Sequence, residues 1–239
     1  MRKLLELGKA YATIMSIVVV ASAISFPSSA GDTAETPTKV RTVAILVFNG
    51  MDIQDFAGPA DVFFYAGASS GGKAVFRQVV VAKSTNAITS QGFAKIVPNC
   101  TFADCPKPDI LVIPGGDVTG LIKDEETMKW IKDVGPNSEQ VLSVCTGALV
   151  LQAAGFLDGL KATTHWGSIS RLRERAPNTT VLENVRYVDN GQIVTSAGVS
   201  AGIDMSLHVV AKLLGFETAK ITAKRMEYEW KPREEYPNP

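Results

Sequence analysis

Histidine and cysteine are scarce in this sequence, and neither sign of charge predominates. The 239 residues contain two histidines and three cysteines, with no Cys/His cluster of the kind that binds zinc. The 24 Lys and Arg residues balance 24 Asp and Glu residues, which gives no indication of a nucleic-acid or anionic membrane partner. No internal repeat or low-complexity block is present. We therefore expect a globular protein without a metal site.

The sequence also lacks an apolar run of about 20 residues, the length that a membrane helix needs. Its most apolar segment, residues 14–24, follows three basic residues and precedes Ser28-Ser29-Ala30. A basic start, a short apolar stretch and small residues are typical of an export signal. We predict a signal peptide over residues 1–30, cleaved after Ala30, and a mature protein that is periplasmic or secreted. An uncleaved anchor is the alternative.

The remainder of the chain is predicted to form one domain over residues 42–232, preceded by a short flexible leader over residues 31–41. Removing residues 1–30 takes away three basic residues and one acidic residue, which leaves a net charge of about −2. No membrane partner is therefore expected once the signal is removed.

The three cysteines are an odd number, and export implies an oxidising compartment. Cys100 and Cys105 are close in sequence and would be able to pair, which would leave Cys145 as the free thiol. In the alternative there is no disulfide, Cys105 is simply buried and Cys100 is exposed. The sequence leaves this choice open.

Alternating apolar strands and helices predict an α/β fold. Strands are expected at residues 42–48, 75–82, 93–97, 109–113, 140–144, 181–188 and 192–196, with a hairpin turn at 189–191, and helices at 58–64, 125–134, 148–155, 200–214 and 217–228. Continuous apolar strands of this kind are buried on both faces of a parallel sheet. We expect a mainly parallel, flavodoxin-like sheet sandwiched by helices, with the ligand site off the carboxyl ends of the strands.

Three loops follow those strand ends: residues 52–59, 114–117 and 145–147. The last of them carries Cys145 in a turn between a strand and a helix. The helix dipole and free backbone N–H groups there favour a thiolate, so we expect a lowered Cys145 pKa and rapid alkylation. The alternative is a buried cysteine that only packs.

The other two loops carry groups that thiol chemistry uses. The backbone N–H groups of Gly115 and Gly116, with that of Thr146, would approach a developing negative charge. Asp55 supplies a carboxyl group that would move a proton. The alternatives are a plain turn for the two glycines and a helix N-cap for Asp55.

These motifs resemble those of the ThiJ/PfpI superfamily, which has a glutamine-amidotransferase-like α/β fold, and the resemblance spans about residues 42–230. It rests on Asp55-Phe56-Ala57-Gly58-Pro59, Ile113-Pro114-Gly115-Gly116, Ser143-Val144-Cys145-Thr146-Gly147-Ala148, Ala162-Thr163-Thr164-His165-Trp166 and residues 195–204. The most similar branch is isocyanide (isonitrile) hydratase, which shares the Asp-x-x-Gly-Pro loop, the Cys-Thr-Gly elbow and a last helix ending in Glu-Tyr, here Glu227-Tyr228.

The resemblance implies a role for each matching residue. Cys145 would be the nucleophile and Asp55 the acid/base. Thr146 would position the substrate through its hydroxyl and backbone N–H, and Gly115 and Gly116 would bind substrate through backbone donors. Peptidase members of the superfamily have a histidine directly after the cysteine, so Thr146 argues against a Cys–His protease.

Two further residues are candidates for substrate binding. Asp204 heads a late helix near the site; its alternatives are capping that helix or pairing within the fold. His165 is the other candidate, and its imidazole would also be able to act as a base. The family treats this position as part of a packed loop, which is the alternative.

The implied function is cofactor-free hydration of an isocyanide to an N-substituted formamide by a homodimeric, hydro-lyase-type enzyme with a small-molecule substrate. A glyoxalase- or deglycase-type enzyme and a non-enzymatic, exported thiol stress sensor are the alternatives. AraC-type regulators share the same front domain. Because the chain ends shortly after the last helix and begins with an export signal, we expect an enzyme rather than a regulator.

Overall fold

A mainly parallel sheet organises the protein. The computed structural model describes residues 39–69 and 74–232. Within them the strands are β1 (Arg41–Leu46), β2 (Phe76–Ala82), β3 (Ile88–Ser90), β4 (Ala94–Ile96), β5 (Cys100–Thr101), β6 (Ile110–Ile113), β7 (Gln140–Ser143), β8 (Lys161–Ala162), β9 (Thr180–Val181), β10 (Tyr187–Asp189) and β11 (Ile193–Ser196). The helices are α1 (Ile53–Ser69), α2 (Thr119–Lys123), α3 (Glu125–Val134), α4 (Gly147–Ala153), α5 (Ile169–Arg175), α6 (Ala201–Leu214) and α7 (Phe216–Arg225).

Seven of these strands form the central sheet in the order β10-β11-β7-β6-β1-β2-β5. Neighbouring strands are parallel except β10 and β11, which are antiparallel. Two small sheets, β3 with β4 and β8 with β9, lie outside it. The expected mainly parallel α/β sheet is confirmed.

Helices cover both faces of the sheet, as buried parallel strands require. Successive side chains of β1 point to opposite faces: Val43 and Ile45 belong to the apolar cluster that includes residues of α1, α6 and α7, whereas Ala44 and Leu46 belong to the cluster that includes residues of α3, α4 and α5. All four side chains are at most 1% exposed. Burial on both faces explains why this strand is a continuous apolar run.

The first helix begins earlier than predicted. Gly58 and Pro59 were expected to open it, but α1 begins at Ile53 and contains Pro59 in its interior. The side chain of Asp52 accepts the N–H of Gln54 at 2.9 Å and so caps the first turn. Asp52, rather than Asp55, therefore caps the helix. This difference places Asp55 in the first turn of a helix instead of in a loop.

The predicted strand over residues 181–188 is also wrong as one element. Asn184, with a φ of 58°, interrupts it, and the segment divides between β9 and β10. The hairpin turn at residues 189–191 is confirmed, with Gly191 at a φ of 89° joining β10 to β11. The predicted helix over Glu125–Val134 is confirmed at both ends.

The predicted signal peptide and most of the leader lie outside the described residues, so the boundaries of residues 1–30 and 31–41 stay predictions. Within residues 39–69 and 74–232, no helix combines the length and apolarity that crossing a bilayer would demand.

Candidate active site

Cys145 lies in the turn between β7 and α4 with a backbone φ of 58°. A positive φ is uncommon for a residue with a side chain, so surrounding contacts must hold this conformation. The N–H of Cys145 donates to the carbonyl oxygen of Ala197 at 3.0 Å, and its carbonyl accepts the Thr164 hydroxyl at 2.7 Å. At Gly147 a Cβ would lie 2.2 Å from the carbonyl oxygen of Ile113, so the tight elbow requires glycine there.

Asp55 is completely buried in the first turn of α1, beside this elbow. Its Oδ2 accepts the N–H of Gly115 at 2.9 Å. Its Oδ1 is buried and makes no hydrogen bond of ordinary geometry with the described residues. The Cys145 thiol and the Val199 N–H nevertheless lie near enough to interact with the carboxyl group. The loosely held oxygen is therefore the one available to exchange a proton.

Burial raises the pKa of Asp55 from 3.8 to about 7, and the negative charge of Asp52 contributes to the rise. Interactions with the Gly115 N–H, the Cys145 thiol and the Val199 N–H oppose this rise without cancelling it. A carboxyl group with a pKa near neutrality both accepts and donates protons readily under physiological conditions. Asp55 thus has the protonation behaviour expected of an acid/base.

The predicted low pKa of Cys145 is wrong for this structure. Burial raises the pKa of the thiol to about 12, and the charges of Asp55 and Asp52 add to the rise. The N–H and hydroxyl of Thr146 favour the thiolate but are outweighed. The Cys145 side chain is almost fully buried. The free energy lost when a thiolate is removed from water therefore exceeds the electrostatic stabilisation that the short helix α4 provides. In the resting site the proton is therefore on sulfur.

Gly115 and Gly116 do not present free backbone donors, contrary to expectation. The Gly115 N–H is bonded to Asp55. The Gly116 N–H donates to the Thr146 hydroxyl at 2.8 Å, and the same hydroxyl donates to the Gly116 carbonyl at 2.9 Å. A Cβ at Gly115 would lie 2.5 Å from the Thr146 nitrogen, so the close approach requires glycine. The glycine turn and Thr146 therefore hold Asp55 and the elbow in place.

A cavity of about 730 Å³ opens beside the elbow. Thr164 and Ala197, which hydrogen-bond to the backbone of Cys145, contribute to its wall. Val199, whose N–H is near Asp55, lines it too. The cavity thus shares its wall with the residues that support the thiol and the carboxyl group.

His165 is half-buried and lies on the same cavity wall. Its Nδ1 accepts the N–H of Gly167 at 3.2 Å. Its ring packs so closely on Gly198 that a Cβ there would lie 2.3 Å from the imidazole Cδ2. These contacts agree with the packed-loop alternative. In the part of the chain that the structure describes, no group of three or more His, Cys, Asp or Glu side chains is arranged to hold a metal ion.

Asp204 is engaged within the fold instead of with the thiol. Its Oδ2 accepts hydrogen bonds from the Arg186 guanidinium, at 2.7 Å for Nε, and from the Tyr228 hydroxyl at 3.1 Å. Burial raises the pKa of Asp204, while Arg186 and Tyr228 oppose that rise. These contacts match the alternative for Asp204, an ion pair that joins α6 to the segment before β10, and the substrate-binding role stays a prediction.

Three contributors to the site were not singled out from the sequence. Asp52 raises the pKa of both reactive groups, and Thr164 holds the elbow. Both belong to motifs noted above, so their positions were visible but not their contacts. Val199 also lies in a noted motif, residues 195–204, but its φ of 54° gave no signal, because a positive φ at a β-branched residue cannot be read from sequence.

Known proteins resemble this chain in both sequence and structure. The sequence model of the DJ-1/PfpI family matches residues 41–212. Isonitrile hydratase of Pseudomonas putida is 35% identical over 188 residues, 78% of each protein. The crystal structure of a ThiJ/PfpI family protein from Pseudomonas syringae has 32% sequence identity and a TM-score of 0.72, covering 88% of this chain and 85% of that one. The HTH-type transcriptional regulator CdhR of Pseudomonas aeruginosa is 32% identical over 113 residues, 47% of this chain and 33% of the regulator.

Proposed function

Because this chain belongs to the DJ-1/PfpI family, we propose that it is a cysteine-dependent enzyme that hydrates small isocyanides to N-substituted formamides without a cofactor. Its similarity to an isonitrile hydratase over 78% of both proteins supports this assignment. The observation that carries it is the buried carboxyl group of Asp55 beside the Cys145 thiol. The terminal carbon of an isocyanide is attacked and protonated at the same atom, so a nucleophile and a proton donor must be neighbours.

In the first step the S–H of Cys145 adds across the isocyanide carbon. Ionised Asp55 accepts the proton from sulfur while the C–S bond forms, and it then delivers that proton to the same carbon. The product is a thioformimidate, R–N=CH–S–Cys145. The reactive form of the Cys145–Asp55 pair carries one proton in total. That proton is either on sulfur, beside ionised Asp55, or on Asp55, beside a thiolate. That state becomes populated as the pH rises above the Asp55 pKa of about 7.

In the second step water resolves the thioformimidate. Asp55 accepts a proton from water as the oxygen attacks the imidate carbon, and it returns that proton to nitrogen. The C–S bond of the tetrahedral adduct then breaks, and the remaining hydroxyl proton passes through Asp55 to sulfur. One isocyanide and one water are consumed for each formamide, and the thiol is regenerated. The adjoining cavity of about 730 Å³ is lined by Thr164, Ala197 and Val199 but not by Cys145 or Asp55, and we propose that it takes the substituent on nitrogen.

The test is turnover of cyclohexyl isocyanide by the purified protein, with N-cyclohexylformamide measured by NMR. We expect kcat/KM of the unaltered protein to rise with pH through about 7, the pKa of Asp55. Cys145→Ala should lower kcat/KM by about 1,000-fold or more, and Asp55→Asn by about 100-fold or more. Cys105→Ser, which alters a thiol outside the site, is the matched control and should leave the rate unchanged.

Absence of formamide with the unaltered protein, or equal turnover by Cys145→Ala, would refute the proposal. The alternatives can be tested on the same sample. Conversion of methylglyoxal to lactate that depends on Cys145 would establish the glyoxalase-type alternative instead. Stable oxidation of Cys145 to a sulfinate, with no turnover of either substrate, would favour the thiol sensor.

We also propose that the enzyme is exported after cleavage following Ala30 and acts as a homodimer. The basic start and short apolar stretch of residues 14–24 support export. The intact mass of the secreted protein tests the cleavage position, and sedimentation equilibrium tests the dimer; an uncleaved chain or a monomer would contradict the respective claim.

A further inference from the structure

Two cysteines outside the proposed site lie at the edge of the central sheet. Cys100 belongs to the edge strand β5, where it pairs with Val81 of β2, and only 6% of its surface is exposed. Cys105 follows the next turn; it is half-buried and packs against the same apolar cluster as Cys100. The burial expected in the alternative, with Cys105 buried and Cys100 exposed, is therefore wrong, although both thiols are free in the structure, as that alternative expected.

A hydrogen-bonded turn holds these two cysteines together without any covalent link. The N–H of Cys105 donates to the Thr101 carbonyl at 2.9 Å. Oδ1 of Asp104 accepts both the N–H and the hydroxyl of Thr101 at 2.6 Å. Phe102, at the start of the turn, stacks on Trp130 of α3 with ring centroids 4.8 Å apart. The turn is thus stabilised by its own hydrogen bonds and packs against α3 through Phe102.

Forming a disulfide between the two thiols would remove only weak hydrogen bonds. Both are free, and they are near enough that a side-chain hydrogen bond between them affects the pKa of each. Burial raises the pKa of both Cys100 and Cys105. The other contact made by Cys100 Sγ is a weak one, 3.8 Å from the Val80 carbonyl oxygen. A disulfide, which is apolar and needs no hydrogen bonds, suits this environment.

From the shared turn and shared apolar cluster, we propose that Cys100 and Cys105 form an intramolecular disulfide that fixes the edge strand β5 to the turn after it. Cys145, on the elbow before α4, remains the single free thiol. The disulfide closes a short loop flanked by Pro98 and Pro106, two residues that already restrict the backbone. This modification is independent of the reaction at Cys145.

The oxidant is a disulfide such as oxidised glutathione. One cysteine thiolate attacks the glutathione disulfide, forming a mixed disulfide and releasing one reduced glutathione. The second cysteine attacks the mixed disulfide at the protein sulfur and releases the other glutathione, so two thiols are oxidised and one disulfide is reduced. Since burial disfavours both thiolates in the native protein, we expect the exchange to be faster during folding than afterwards.

The test is to refold the full chain in oxidised glutathione, unfold it in guanidinium at pH 8 with excess iodoacetamide present, so that every free thiol is alkylated, and digest it with trypsin. No Lys or Arg lies between Cys100 and Cys105, so both fall on one peptide. We expect that peptide to be unalkylated and lighter by two hydrogens than its reduced form, whereas Cys145 is alkylated and serves as the internal reference. After reduction with dithiothreitol, all three cysteines should be alkylated.

Alkylation of both Cys100 and Cys105 after oxidation would overturn the proposal, and so would a stable glutathione adduct on either one or a link to Cys145 or a second chain. Stability gives a second readout. Closing so short a loop should raise the melting temperature by about 5 °C, an increase that dithiothreitol abolishes. The Cys105→Ser variant is the matched control, and its melting temperature should not respond to dithiothreitol.

Discussion

Replacing Asp55 by Asn should flatten the pH dependence of the stability of this protein. Because the pKa of Asp55 is raised from 3.8 to about 7, the folded state binds this proton more tightly than the unfolded state does. The resulting stabilisation is complete below about pH 3.8 and is lost as the pH rises through about 7. The neutral amide of the variant does not titrate, so this contribution disappears.

The size of this pH-dependent stabilisation follows from the difference between the Asp55 pKa in the unfolded state, 3.8, and in the folded state, about 7. At about 1.4 kcal/mol for each tenfold difference, the whole titration of Asp55 is worth about 4 kcal/mol. About 3 kcal/mol of this falls between pH 5 and pH 8, an easily measured interval. Asp55 has no exposed surface, so solvent screening does not reduce the effect. The absolute stability of the variant is less informative, because its amide nitrogen will face the Val199 N–H.

The assay is guanidinium unfolding at pH 5, 6, 7 and 8, with the slope against denaturant held common between variants. Between pH 5 and pH 8 the unaltered protein should lose about 3 kcal/mol more than Asp55→Asn. Asp133→Asn is the matched control, because Asp133 is an exposed partner of Lys129 and should leave the pH profile unchanged. If Asp55→Asn loses as much stability as the unaltered protein over this interval, the carboxyl group does not titrate near neutrality and the proposed proton transfers fail.

Three other predictions test the surroundings of the site. Thr146→Val removes both hydrogen bonds to Gly116 and should lower the free energy of unfolding by about 2 kcal/mol. Isocyanide turnover should fall as well, and unchanged values of both would show that this contact is dispensable. Arg186→Met leaves the buried Asp204 carboxylate without its cation, so the free energy of unfolding, measured with guanidinium at pH 7, should fall by about 3 kcal/mol. The difference should shrink at acid pH, because Asp204 then takes up a proton. Alkylation of Cys145 by iodoacetamide should accelerate about tenfold per pH unit from about pH 8 to 10, because the thiol pKa is about 12, and a rate already at its plateau at pH 8 would contradict that pKa.

Much of the fold was predictable from the sequence because its signals are local. The apolar run that became β1 and the amphipathic segment Glu125–Val134 that became α3 follow from side-chain periodicity over a few residues. The start of α1 was misplaced because Gly58-Pro59 is a strong local signal, whereas the cap from Asp52 depends on geometry. The break at Asn184 was missed for the same reason.

The sequence by itself determined which loops meet at the site. A parallel sheet brings the carboxyl ends of its strands to one edge, so Cys145, Asp55 and the glycine turn were expected together, and the structure places them together. The strand–cysteine–helix pattern likewise predicted the elbow, which has the positive φ that a sharp turn needs.

Only the tertiary structure decided the chemical state of those groups. The helix end suggested a thiolate at Cys145, but enclosure by distant segments raises its pKa to about 12 and that of Asp55 to about 7. The sequence predicts free N–H groups at Gly115 and Gly116, yet Asp55 accepts the first and the Thr146 hydroxyl accepts the second. Desolvation and hydrogen-bond pairing depend on every atom packed around a group, most of which come from remote parts of the chain, so no local pattern specifies them.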